Sequence, residues 1–294
     1  MNKKSTPNNG SLTAQDISSF VDRRDDLALE LFTYRAFREN GWWANQGHFY
    51  NDPIQDKPRQ FDVQGGKDLR KNPATPMLPT TGIHIAAECK NVDSLVPVIV
   101  SRVPRSESES YHCLLRRSLD ASGQTRDVHV IKSSPHDSKP YHMDAPVGKS
   151  ILQFSANESA KQSPEDPYAK WSQALASSAS LVAKAHWDAL MFRTAPDLCF
   201  IMPALILADG ALWTLDYDEN GHRGEPVQAE ESTFYVGRDY SLGEDYVSKP
   251  KYWVSHLHIY TKSGFVKALQ TLNNPQHGKE LDRYFRFGMG FNDG

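Results

Sequence analysis

Eleven consecutive apolar residues, 198–208, with Pro203 among them, constrain this chain more than any other feature. The run is well short of the roughly 20 residues that span a bilayer, so it reads as a strand and no membrane span is expected. Shorter apolar segments of the same kind lie at 82–89, with β-branched Ile83 and Ile85, and at 95–103. Strands are also expected at 212–217, 234–240 and 255–261. Helical spacing appears at 16–40, where Phe20, Leu27, Leu31, Tyr34 and Phe37 form a stripe that stops at Gly41. A stretch without Gly or Pro, 168–192, predicts a long helix, and 264–272 a short one. Residues 42–65 read as a hairpin around a polar turn at 51–58. Residues 104–166 read as loops with room for one hairpin. The order of helix, strands, helix, strands gives the class α/β, a mixed central sheet flanked by helices.

Composition supports one packed unit. Hydrophobic residues are 39% and aromatic residues 11%, enough for a core despite a mean hydropathy of -0.59. The division expected is a disordered tail at 1–15, then a single domain at 16–294 with a loop-rich insertion at about 104–166. Lys3 and Lys4 are followed by no apolar stretch, which argues against a signal peptide. Cys89, Cys113 and Cys199 are too scattered for a disulfide framework, so a reducing, cytoplasmic setting is expected. The net charge of -3 lends no global attraction to nucleic acid, which would have to be met by a local basic surface.

Four residues carry chemistry. Alternation along 82–90 puts Ile83, Ile85, Ala87 and Cys89 on one face, and His84, Ala86, Glu88 and Lys90 on the other. Asp62 lies between apolar Phe61 and Val63 in the second hairpin strand, pointing away from the face those two bury. Glu30 sits on the apolar side of the first helix, an expensive place for a charge that meets no cation. Converging at one sheet edge, these acids would suit a hard divalent ion. Mg²⁺ needs few protein ligands, here the Asp62 and Glu88 carboxylates and the Cys89 backbone carbonyl, with Glu30 as a further acid. Lys90 would orient the attacking water or a phosphate oxygen.

A helix glutamate, a hairpin reading YNDPIQDKPRQFDV and a buried strand ending in AAECK resemble the PD-(D/E)XK nuclease superfamily over residues 25–91. By that resemblance Asp62 is the motif aspartate, Glu88 the (D/E) position, Lys90 the motif lysine and Glu30 the added helix acid. Phe61 stands where the motif name has proline. The resemblance implies a restriction-endonuclease-like core and Mg²⁺-dependent hydrolysis of phosphodiester bonds, with Mn²⁺ substituting. DNA is the substrate implied ahead of RNA, and double-strand cutting would imply a homodimer.

Lys57, Arg59, Lys67, Arg70 and Lys71 surround the motif and are the candidate phosphate contacts, with Arg102 and Arg105 after the next strand. The alternative from another class is a non-catalytic module that keeps this fold and binds nucleic acid or protein. A third reading makes His256 and His258 metal ligands of a hydrolase. Against it, the plain expectation is an exposed strand face continued by Tyr260. DYDENG at 216–221 lacks the acid that an EF-hand needs at its twelfth position and reads as a hairpin turn, and GKS at 148–150 lacks the glycine of a phosphate loop.

Overall fold

The computed structural model describes residues 12–24, 26–52, 57–69, 80–92, 97–132, 141, 145–153, 165–192, 195–241 and 251–273. It opens with two helices, α1 (Ala14–Arg24) and α2 (Leu27–Glu39), where one was expected over 16–40. Asp26 divides them: its side chain accepts the Asn91 backbone N–H at 2.6 Å, tying the start of α2 to the sheet. The break resets the helical phase. Leu29, Thr33, Ala36 and Phe37 turn inward, while Leu27 and Leu31 of the anticipated stripe are exposed. α1 also begins inside the expected tail, capped by Thr13, whose hydroxyl accepts the Asp16 N–H at 3.1 Å. Residues 1–11 lie outside the described residues.

Among the described residues, fourteen strands follow or interleave with two more α-helices and a short 3-10 turn at Glu107–Glu109. They are β1 (Trp43–Gln46), β2 (Phe49–Asp52), β3 (Lys57–Gln60), β4 (Val63–Leu69), β5 (Thr81–Lys90), β6 (Val98–Pro104), β7 (Cys113–Leu119), β8 (Thr125–Lys132) and β9 (Pro146–Gln153). After α3 (Glu165–Met191) come β10 (Leu198–Leu207), β11 (Leu212–Asp216), β12 (Val227–Gln228), β13 (Glu231–Ser241), β14 (Lys251–Thr261) and α4 (Lys262–Asn273). One mixed sheet runs β1-β4-β5-β10-β14-β13-β9-β6-β11-β12, with β7 also on β10 and β8 on β7, and β2 and β3 form a separate ribbon. The 42–65 hairpin is thus two nested ones: β1 pairs with β4 in the sheet, and the β2–β3 ribbon projects between them. The 104–166 segment is more ordered than loops, since β7 and β9 are members of the main sheet.

β10 is the middle of the structure, and all ten of its residues are buried. It runs parallel to β5 on one side and to β14 on the other. Phe200, Met202, Ala204 and Ile206 face the side covered by α2 and α4, with Phe37, Phe265 and Leu269. Cys199 and Ile201 face α3, with Leu175, Leu181, Val182 and Ala185. Pro203 is tolerated because of where it falls. The N–H of Ile201 points away from β5 and donates to the Tyr252 hydroxyl at 3.2 Å, so the position of Pro203, two residues on, faces the same edge. There β7 pairing has ended at Cys199 and β14 pairing starts only at Ala204. Tyr252 Oη in turn donates to the Cys113 carbonyl at 2.8 Å, bridging the fork between β7 and β14. Among the described residues no helix is long and apolar enough to cross a membrane.

Candidate functional site

β5 alternates as expected. Ile83, Ile85, Ala87 and Cys89 join the core under α2 and α4, and Ala86 joins the one under α3. Glu88 therefore belongs to the α3 side, wholly buried, and Lys90 ends the strand on the same face, partly exposed. Cys89 between them points at α2, its sulfur 3.4 Å from Thr33 Oγ1. Burial first, and then the charges of Asp62, Glu88 and Glu30, push its thiol well above the usual range, which makes it an inert core thiol.

Asp62 is in a bend and not within a strand, which corrects the hairpin reading. The ribbon closes just before it, with the Phe61 N–H donating to the His48 carbonyl at 3.1 Å, and the Gly47 N–H donating to the Asp62 carbonyl at 3.2 Å. The freed Asp62 side chain crosses to β5, where Oδ2 accepts the Cys89 N–H at 2.7 Å. In an extended strand the N–H and C=O of one residue face the same neighbour. The Cys89 carbonyl therefore faces the edge where Asp62 sits, beyond Val63↔Ala87, the end of the β4–β5 ladder. Glu30 is half-buried on α2 and accepts from Gln46 Nε2 at 3.3 Å. The structure thus brings Asp62 to the backbone of the Glu88–Lys90 strand end, whereas Glu30 on α2 is bonded to Gln46 of β1.

Two residues that sequence reasoning passed over belong to this neighbourhood. On β2, exposure alternates so that Tyr50 and Asp52 turn inward while Phe49 and Asn51 face out. Tyr50 packs on Phe61 and on Ala176 of α3. Its hydroxyl is raised well above its ordinary range by burial, then by Glu88, Asp52 and Asp62, with Arg59 opposing them. The sequence offered no signal for this, since FYND is two aromatic residues followed by two polar ones and only its exposure alternates.

Among the described residues, the candidate basic residues do not form one surface. Lys57 is exposed on β3, whereas Arg59 Nε is 2.8 Å from Asp52. Lys67 is drawn to the end of α2 and α4, donating to Asn273 Oδ1 at 2.6 Å and to the Asn40 carbonyl at 3.5 Å. Arg102 pairs with Asp216 at 2.7 Å. Arg70 and Lys71 lie outside the described residues.

His256, His258 and Tyr260 are buried, contrary to the exposed face expected of them. Tyr141, from the segment read as loops, covers them: its ring stacks on His256 with centroids 3.9 Å apart, and its hydroxyl lies 2.8 Å from His258 Nε2. Arg105, read with Arg102 as a candidate phosphate contact, is also buried and lies 2.8 Å from His256 Nε2 and 3.0 Å from Thr233 Oγ1. Both imidazoles are thereby committed to protein partners, which removes the support for a two-histidine metal site. The two short motifs behave as expected: Asp218 caps a turn, with the Asn220 N–H 2.9 Å from its Oδ1, and 148–150 lies within β9.

Among the described residues no group of three or more His, Cys, Asp or Glu side chains is arranged to hold a metal ion. The donors at the strand end are fewer and all oxygen: Asp62, Glu88 and the Cys89 carbonyl. That is the sparse set Mg²⁺ uses when water and substrate phosphate complete its shell. Comparison of the chain with family models, curated proteins and solved structures finds no match.

Proposed function

We propose that the chain is a Mg²⁺-dependent nuclease that hydrolyses phosphodiester bonds of DNA on a restriction-endonuclease-like core. The observation that supports this reading is the 2.7 Å hydrogen bond from the Cys89 N–H to Asp62, which ties Asp62 to the residue that follows Glu88 at one strand end. The connectivity supports it: α2, β1, β4 and β5 lead through α3 into β10, which lies parallel to β5 in the order β1-β4-β5-β10.

Asp62, Glu88 and the Cys89 carbonyl would hold the ion, whose contribution is to acidify water and to stabilise charge on the phosphate. The protein supplies orientation. The Cys89 N–H fixes the Asp62 carboxylate, and the β5 ladder to β10 fixes Glu88 opposite Leu205 and Lys90 opposite Leu207. Lys90, next to Glu88 on the same face, would donate to the attacking water or to a phosphate oxygen as negative charge builds up there.

The test is incubation of purified protein with supercoiled, linear and single-stranded DNA, with Mg²⁺ or Mn²⁺, beside Lys90→Ala. Cleavage that EDTA abolishes, and that Lys90→Ala slows by about 10²-fold or more while the variant stays folded, is the expected result. A Lys90→Ala protein that cuts as fast as its parent refutes the assignment. Binding without turnover would favour the non-catalytic module.

A further inference from the structure

We infer that the buried hydroxyl of Tyr50 is a substrate contact, donating a hydrogen bond to a non-bridging oxygen of the phosphodiester bound beside Asp62 and Glu88. The inference rests on the nuclease reading and adds to it a residue from outside the motif.

Three observations carry it. Tyr50 is 7% exposed, with its ring held between Phe61 and Ala176, so the phenol is fixed and not a mobile surface group. Its Oη is buried and has no hydrogen-bond partner among the described residues. Buried hydroxyls are nearly always bonded, so one that is not calls for a ligand or an ordered water. Asp52 and Asp62, whose charges act on this phenol, each hold another donor, and neither takes its hydroxyl. Asp52, on the same inward face of β2, is engaged by Arg59 at 2.8 Å, and Asp62 takes the Cys89 N–H.

The chemistry of the hydroxyl then selects the occupant. A phenol is protonated at neutral pH, so it is available as a donor. Phosphodiester oxygens only accept. An anion entering a space bordered by carboxylates also gains most from neutral donors and from the Lys90 ammonium. Phe61 immediately precedes Asp62, so the contact that seats the Tyr50 ring also ties it to the acid.

Tyr50→Phe, Lys90→Ala and the parent are compared by steady-state cleavage of a DNA oligonucleotide in Mg²⁺, and by thermal melting without DNA or metal. The expected result is a fall in kcat/KM of about tenfold to a hundredfold for Tyr50→Phe, with melting at or above the parent temperature because no protein hydrogen bond is lost. Parental kcat/KM in Tyr50→Phe overturns the inference and leaves the nuclease reading standing, provided that Lys90→Ala is impaired. Melting several degrees below the parent also overturns it, since the hydroxyl would then be a structural group. A parent that cleaves nothing with either metal removes both.

Discussion

Lowering the pH should destabilise this protein steeply through two neutral histidines in its interior. His256 and His258 are 1% and 3% exposed. Burial comes first among the causes that hold His256 well below its ordinary range, followed by Arg105, His258, His112 and Lys149. His258 is held down to about 3, again by burial and then by Arg105. The hydrogen bonds agree with neutral rings. Arg105 can only donate, so His256 Nε2 accepts and its Nδ1–H donates to Ser255 Oγ at 2.8 Å. Tyr141 Oη lies 2.8 Å from His258 Nε2 and Tyr260 Oη 3.2 Å from its Nδ1, so a neutral ring can give its one N–H to one hydroxyl and accept from the other.

The unfolded chain protonates both rings below about pH 6.5 while the native state does not, so stability is full above that pH and falls as acid is added. Each ring removes about 2 kcal/mol between pH 7.5 and 5, about 4 kcal/mol together, against a total of roughly 5–15 kcal/mol for a typical domain. His84, held down to about 4 by burial and then Lys184, adds less. It lines an open cavity of about 350 Å³ with Trp43, Lys184 and Asp188, where solvent screens it. Urea unfolding at intervals from pH 7.5 to 5 reads the slope, expected near 3 kcal/mol per pH unit at the acid end. His258→Gln should reduce that slope by about 1.4 kcal/mol per pH unit, one proton. A parental slope of less than one proton, or one unchanged in His258→Gln, would refute the reasoning.

Tyr141→Phe leaves buried His258 Nε2 without its hydroxyl partner, and should cost about 1–3 kcal/mol. A thermal melt several degrees below the parent checks it. Gly264→Ala would put a Cβ 2.0 Å from the Glu230 carbonyl oxygen, which itself accepts the Thr261 N–H at 2.9 Å. The start of α4 must then shift, at a cost of about 1–3 kcal/mol or more, with poor soluble yield as the first sign.

What could be read from the chain followed from how many faces each element buries. β5 and β10 are covered on both sides, so their composition announces them, and α3 is announced by 25 residues without Gly or Pro at 168–192. β9 buries Val147 and Gly148 but exposes Leu152, and it carries Lys149 and Ser150, so neither alternation nor an apolar run marks it. The acid pair was legible because Glu88 interrupts a buried strand. The bend that releases Asp62 was not, because it depends on the β2–β3 ribbon closing between Gly47 and Phe61. His256 and His258 were misread for a related reason. Alternation shows that they share a face, but what covers that face is Tyr141, 115 positions away from His256.

The strict alternation of β5 makes the length of this segment more critical than its hydrophobicity. Deleting any one residue from 82–87 would leave an equally apolar strand, yet it would swing the Glu88 carboxylate into the packed interior beside Phe37 and deliver the Cys89 thiol to the opposite side. Substitutions among Ile, Val and Leu at 83 and 85 should therefore persist through drift, while insertions and deletions across these few positions are purged.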